Sequence, residues 1–230
     1  MKILGIDTST RICSIGLIED KTILIEYTIN SLLKKHSAFL VPAIKNMFEQ
    51  VDLELHDIDG IAISLGPGSF TGLRIGLGVA KGLAYANSLP LIGIPTLEVL
   101  AFPFKEMPYF ICTILDARKS EVYSAVFQGG NNLEKVLDFR CENINNLLKR
   151  LYNLKGKIIF TGVGALGYRE IIEKKIDQNV LFIQSTLNLL LGSSIAFLGL
   201  ERFERGEGDN IFSISPIYLR KSEAEIIWEK

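Results

Sequence analysis

Three short segments carry residue types that could hold a nucleotide. Asp7-Thr8-Ser9-Thr10, Asp116-Ala117-Arg118-Lys119 and Thr161-Gly162-Val163-Gly164-Ala165 each follow an apolar run with the length of a buried strand. An aspartate just past a strand can hold a metal ion or orient a water, and hydroxyls with turn amides can hold phosphate. Asp-Thr-Ser sequences are also ordinary strand endings that cap and turn the chain, so residue type alone leaves both roles open. The stretch Gly66-Pro67-Gly68-Ser69-Phe70-Thr71-Gly72-Leu73-Arg74-Ile75-Gly76 could present free N–H groups to an anion at a helix start. It is not a P-loop, which needs Lys followed by Ser or Thr where this chain has Leu73-Arg74. Ser69 is not a nucleophile elbow either, because no glycine stands two residues after it. A tight turn at Pro67-Gly68, capped by Ser69 or Thr71, accounts for the same residues.

Metal chemistry has little to draw on. The two histidines, His36 and His56, form no His-x-x-x-His pair, and the three cysteines, Cys13, Cys112 and Cys141, form no Cys-x-x-Cys. His36 reads as a surface or capping residue before a helix, and His56 as a solvated residue of the acidic loop from Asp52 to Asp59. The cysteines read as buried thiols in a reducing compartment.

The elements that would position these residues follow from periodicity. Strands are expected at 3–7, 12–18 and 22–28, as an antiparallel meander. Leu40, Ile44, Met47, Phe48 and Val51 recur at helical spacing, with Phe39 and Ala43 on a second apolar face. Pro42 either opens that helix or kinks one that starts near Ser37. A strand at 60–65 leads into the glycine-rich turn and a helix from Thr71 to Asn87. Glycines at 72, 76, 78 and 82 each cost up to about 1 kcal/mol against alanine in that helix. Close packing against another helix's backbone is the expected compensation. A strand at 91–94 and a short helix at 96–101 complete the first half.

Phe102 to Pro108, with two prolines, is the expected boundary between lobes 1–103 and 104–230, the C-terminal segment being free to return to the first lobe. The second half repeats the order, with strands at 109–115, 121–127, 133–139, 157–161 and 180–184 and helices at 143–152, 166–175 and 188–204. Three strands followed by alternation with helices is the ribonuclease H-like order. Two such halves predict an α/β fold of the actin, Hsp70 and sugar-kinase (ASKHA) architecture. The 230-residue chain is long enough for two cores, and its 48% hydrophobic content excludes a disordered protein. A net charge of -1 gives no nucleic-acid footprint over the whole surface, although a local basic patch is compatible with it. The sequence shows no signal peptide, and the longest apolar stretch, Leu187 to Leu200, is shorter than a bilayer requires, so a cytoplasmic location is expected.

Ile3-Leu4-Gly5-Ile6-Asp7-Thr8-Ser9, His36-Ser37, the run from Gly66 to Gly76 and Gly93-Ile94-Pro95-Thr96-Leu97-Glu98 together resemble the TsaB family, also called YeaZ. Leu115-Asp116-Ala117-Arg118 and Pro216-Ile217-Tyr218-Leu219-Arg220 fit the same pattern. The resemblance implies a non-catalytic subunit in the formation of N6-threonylcarbamoyladenosine at position 37 of tRNAs reading ANN codons. Its partners would be a metal-carrying TsaD-like subunit and a TsaE-like ATPase, with tRNA as substrate of the complex. Where TsaD has metal-binding histidines, this chain has Thr96 and Leu100, which cannot replace imidazoles. No catalytic residue, metal or cofactor is therefore expected in the isolated chain, although a nucleotide at a shared interface remains open. Asp7, Thr8, Ser9 and Asp116 would be vestigial phosphate turns. The partner surface would be a four-helix arrangement with TsaD or with a second copy of this chain, using Phe39 and Ala43 of the earlier helix and Gly72, Leu73, Gly76, Val79 and Ala80 of the later one. A small ATP-dependent kinase or ATPase of the same fold is the alternative.

Overall fold

Ile3, Leu4 and Ile6 are fully buried on both faces of the first strand, β1 (Lys2–Asp7), so the strand reads as a continuous apolar run and lies at the centre of its sheet. The computed structural model describes residues 1–30, 36–176, 179–184 and 188–220, residues 36 and 37 by their backbone alone. The reading of the His36 side chain therefore lies outside the described residues. β1 pairs antiparallel with β2 (Ile12–Glu19) and parallel with β4 (Gly60–Gly66). β3 (Thr22–Asn30) and β5 (Leu91–Pro95) complete the order β3-β2-β1-β4-β5.

The second sheet repeats the scheme as β10-β9-β6-β7-β8, built from β6 (Phe110–Arg118), β7 (Glu121–Gln128), β8 (Glu134–Asn143), β9 (Ile158–Thr161) and β10 (Val180–Phe182). In each sheet a meander on one side of the first strand gives way to parallel strands on the other. This is the predicted ribonuclease H-like order.

The helices are α1 (His36–Gln50), α2 (Phe70–Ala86), α3 (Thr96–Ala101), α4 (Ile144–Leu151), α5 (Val163–Gly167), α6 (Arg169–Lys175) and α7 (Gly192–Glu204). The chain divides into a first unit, Met1–Val99 with Leu190–Ile217, and a second, Leu100–Leu189 with Tyr218–Lys230. The division thus falls four residues before the expected 103/104; Leu190–Ile217 goes with the first unit, while Tyr218–Lys230 goes with the second. No helix among the described residues is long and apolar enough to cross a membrane.

Of the two starts considered for α1, the earlier one holds: the helix begins at His36 and Pro42 stands inside it. Two expectations are corrected. The helix expected at 166–175 is two short helices, Val163–Gly167 and Arg169–Lys175, joined at Tyr168; the first starts early, with Gly164 packed hard against Ile114. The helix expected from 188 begins at Gly192, since Asn188 is engaged elsewhere.

α7 returns to the first sheet with an unusual backbone-to-backbone fit. A Cβ on Gly5 would stand 2.0 Å from the Gly192 carbonyl oxygen, and one on Gly16 would stand 2.1 Å from the Ser193 nitrogen. The helix start is then satisfied from the sheet. Glu26 on β3 accepts from the Gly192 amide at 2.9 Å and from the Ser193 amide at 2.8 Å, while the Ser14 hydroxyl donates to the same carboxylate at 2.6 Å. A carboxylate here fills the role of an N-cap and complements the positive end of the helix. Glu26→Ala leaves two amides without this partner and is expected to cost about 2–3 kcal/mol, read as a lower urea midpoint at unchanged slope. Glu26→Gln should recover part of the loss.

Candidate functional site

The carboxyl ends of the parallel strands are where open α/β sheets bind ligands, and β1 ends there at Asp7. Asp7, Thr8 and Ser9 are fully buried. One Asp7 carboxylate oxygen, Oδ1, accepts from the Ser64 hydroxyl and, at 3.2 Å, from the Ser9 amide. The Thr8 hydroxyl donates to the Gly72 carbonyl at 2.7 Å, and the Ser9 carbonyl accepts from the Ser69 amide at 2.6 Å. The glycine-rich stretch is built around this contact. A Cβ on Gly68 would meet the Ser9 carbonyl oxygen at 2.3 Å, one on Gly72 the Thr8 carbonyl oxygen at 2.0 Å, and one on Gly76 the Thr8 hydroxyl at 2.2 Å. The α2 start and the β1 turn are thus interlocked: the Thr8 and Ser69 hydroxyls and the Ser9 and Ser69 amides are spent on this contact, and the buried Ser9 hydroxyl has no hydrogen-bond partner among the described residues. Of the two caps considered for α2, it is Ser69 whose hydroxyl accepts from Gly72, at 3.2 Å.

The third candidate turn is closed in a similar way within the second unit. Asn188 Oδ1 accepts from the Thr161 hydroxyl and from the Gly162 amide, both at 2.8 Å, and its Nδ2 donates to the Ile183 carbonyl at 2.7 Å. The Asp116 turn differs in being exposed. Asp116 accepts from the Arg118 amide at 2.8 Å, and Lys119 and Ser120 both have positive φ, as a two-residue hairpin loop requires. Arg220 ties this hairpin down by donating to the Ala117 carbonyl at 2.7 Å.

The expected partner residues lie as follows. Ala43, Gly72, Leu73, Gly76 and Ala80 are buried in the first unit, and Phe39 and Val79 are half-buried against its core. The close approach that justifies Gly72 and Gly76 is to Thr8 of the same chain, which replaces the expected helix-to-helix explanation at those two positions. Gly78 and Gly82 are different, since a Cβ at either meets nothing within 4 Å. They lie on the outer face of α2 with Tyr85, which is 67% exposed, and α1 packs beside α2 with Val41 51% exposed.

Burial pushes the Cys13 thiol up to about 12, with the charge of Asp7 adding to it, and burial raises Cys112 as well. Cys141 is half-buried and raised by burial and then by Glu121. A thiolate is the reactive form, so a disulfide exchange reagent at pH 8 should titrate Cys141 slowly in the native chain and reach Cys13 and Cys112 only on unfolding. Among the described residues no three His, Cys, Asp or Glu side chains come together to hold a metal. Thr96 and Leu100 are buried.

Sequence reading missed Glu26, Ser64 and Asn188. Ser64 and Asn188 were visible as lone polar residues in apolar runs, a signal that such a side chain has a specific partner. Glu26 gave no such signal on an edge strand.

The family model described as "TsaD: tRNA N6-adenosine threonylcarbamoyltransferase" matches residues 26–228. The tRNA threonylcarbamoyladenosine biosynthesis protein TsaB of Bacillus subtilis is 32% identical over 99% of this chain and 98% of its own length. The Escherichia coli protein of the same name is 29% identical over 100% and 98%. The solved structure of YeaZ from Pseudomonas aeruginosa superposes with a TM-score of 0.79 at 27% identity, covering 95% of this chain and 99% of that one. A polyphosphate/ATP-glucomannokinase from Arthrobacter, at 8% identity and a TM-score of 0.53 over 87% of this chain and 99% of the kinase, shares the fold alone, which is the ASKHA architecture.

Proposed function

Because the chain belongs to the TsaB family, within the wider TsaD family, we propose that it is the non-catalytic activating subunit for threonylcarbamoylation of adenosine 37 in tRNAs reading ANN codons. In this reading it binds and supports a TsaD-type subunit, and a TsaE-type ATPase joins the assembly. The observation that carries the reading is the closed turn after β1. Asp7 is fully buried and accepts hydrogen bonds from Ser64 and Ser9, while Thr8 and Ser9 hold the start of α2, so the position where a kinase of this fold would hold its nucleotide is used to join β1, β4 and α2. Asn188 does the same at the Thr161-Gly162 turn.

The partner surface in this reading is the outer face of α1 and α2. Phe39, Ala43, Gly72, Leu73, Gly76, Val79 and Ala80 hold the two helices in place from beneath, and Val41, Gly78, Gly82 and Tyr85 present the contact. A chain that itself matches the TsaD model would meet a TsaD-type subunit through equivalent helices, in pseudo-twofold packing. A homodimer through the same face would be the form of the chain without its partner.

The test is reconstitution of TsaC-, TsaD- and TsaE-type proteins with an unmodified tRNA transcript, with and without this chain. Modification is expected only when the chain is present and bound to the TsaD-type subunit. Turnover of Mg-ATP by the chain alone, abolished by Asp7→Asn in a folded protein, would instead establish the kinase reading.

A further inference from the structure

The stretch between Glu142 and Glu170 contains no acidic residue, while Lys149, Arg150, Lys155, Lys157 and Arg169 all fall within it. Asp and Glu outnumber Lys and Arg in the first unit, and the reverse holds in the second. α4 occupies the first part of this stretch. Its inner face, Ile144, Leu147, Leu148 and Leu151, is buried in the second core, which turns Asn145, Asn146, Lys149 and Tyr152 outward. The turn that follows, Lys155-Gly156-Lys157, hydrogen-bonds to the start of β6 through the Lys157 carbonyl and the Phe110 amide at 3.0 Å. There the Lys157 ammonium lies 4.8 Å from the centre of the Tyr109 ring.

We infer that this outer face of α4 and the turn after it form a contact surface for the phosphodiester backbone of folded RNA, with Tyr152 as a stacking platform. The inference rests on the function proposed above, and identifies where the chain itself touches the tRNA.

Two plainer explanations account for only part of the pattern. Cations in the last turn of a helix complement its dipole, which suits Lys149, and Arg150 is paired with Glu142. Lys155 lies beyond the helix end, where that effect has faded. An aromatic ring that only filled the core would be covered, whereas Tyr152 is 77% exposed. Amides, ammonium groups and an open ring on the outer side of α4, where Lys175 also donates to the Asn145 side-chain oxygen at 2.6 Å, match what RNA offers, namely phosphates, 2′-hydroxyls and unstacked bases. An anionic membrane would use the charges but has no use for the asparagine amides.

The experiment is filter binding of an unmodified tRNA transcript with an ANN anticodon, over a range of salt, to the full chain alone and to its complex with a TsaD-type subunit. Lys149→Gln with Lys155→Gln removes two phosphate contacts, so the slope of log affinity against log salt should fall by about 1.5. Tyr152→Ala should weaken binding about 10-fold with the slope preserved, since stacking is not a counterion effect. All three positions are exposed, and melting temperatures should stay at the wild-type value. An unchanged slope in folded variants overturns the inference. So does a loss of binding to phosphatidylglycerol vesicles with tRNA binding intact. Failure of the parent reading shows elsewhere, as absent capture of the TsaD-type subunit, and leaves the salt slope of the chain alone to be read.

Discussion

Gly16→Ala is expected to destabilise the first unit by more than about 4 kcal/mol, enough to leave a marginally stable domain unfolded. Most core substitutions are softened by side chains that shift aside. Here the added Cβ would stand 2.1 Å from the Ser193 nitrogen and 2.6 Å from the Gly192 carbonyl carbon, so the obstacle is backbone. The only relief is for α7 to lift off the sheet. That movement would also break the Glu26 cap at Gly192 and Ser193 and unpack Ile195 and Ala196, which are fully buried. Gly5→Ala should fail for the same reason, at 2.0 Å from the Gly192 oxygen. The control is Gly78→Ala, whose Cβ meets open space. It should raise stability by up to about 1 kcal/mol through helix propensity. Urea unfolding of the three variants separates the outcomes, and a Gly16→Ala chain with the wild-type midpoint would mean that α7 does not sit on the sheet.

The same glycines show why some of the structure was legible and some was not. Strands such as β1 and β4 are buried on both faces, so their apolar runs announce them and fix the sheet order through their sequence in the chain. The α2 glycines were equally visible as a cost, but the sequence carries no sign of which backbone offsets it. Gly72 and Gly76 turned out to face Thr8, some 64 residues earlier, while Gly78 and Gly82 face outward. Helical periodicity places these positions around the axis, but choosing the inward side requires knowing what lies beneath. Asp7 was legible as a residue able to hold a phosphate turn. Its burial was not, because that depends on Ser64 in another strand and on the turn at Pro67–Ser69 and the start of α2 packing against Thr8 and Ser9 beside it. The assignment of α7 to the first unit was the least legible feature. It depends on Gly5, Gly16 and Glu26, none of which forms a pattern with the others along the chain.

Gly82→Leu is expected to leave the chain folded and to weaken its association with a TsaD-type subunit by at least about 100-fold, close to 2.7 kcal/mol. The first half of the expectation comes from the open space around Gly82, together with the better helix propensity of leucine. The second comes from geometry. Gly78 and Gly82 are four residues apart on one face, so they leave a shallow channel along α2 in which a second helix can approach closely. Tyr85, three residues after Gly82 on the same face, lies edge-on to Phe212, ring centroids 6.0 Å apart, with Phe212 80% exposed. Two exposed aromatic rings beside a flat strip have the composition of an interface anchor rather than of ordinary surface. A leucine side chain in the channel would hold the partner helix away along its length and forfeit the contacts on both sides of it. Gly82→Ala should weaken association less, and Tyr85→Ala should reduce it without changing the melting temperature. Affinity would be measured by calorimetry against the TsaD-type subunit, with light scattering of the chain alone to report any homodimer through the same face. A folded Gly82→Leu chain that bound the TsaD-type subunit with wild-type affinity would place the interface on another surface.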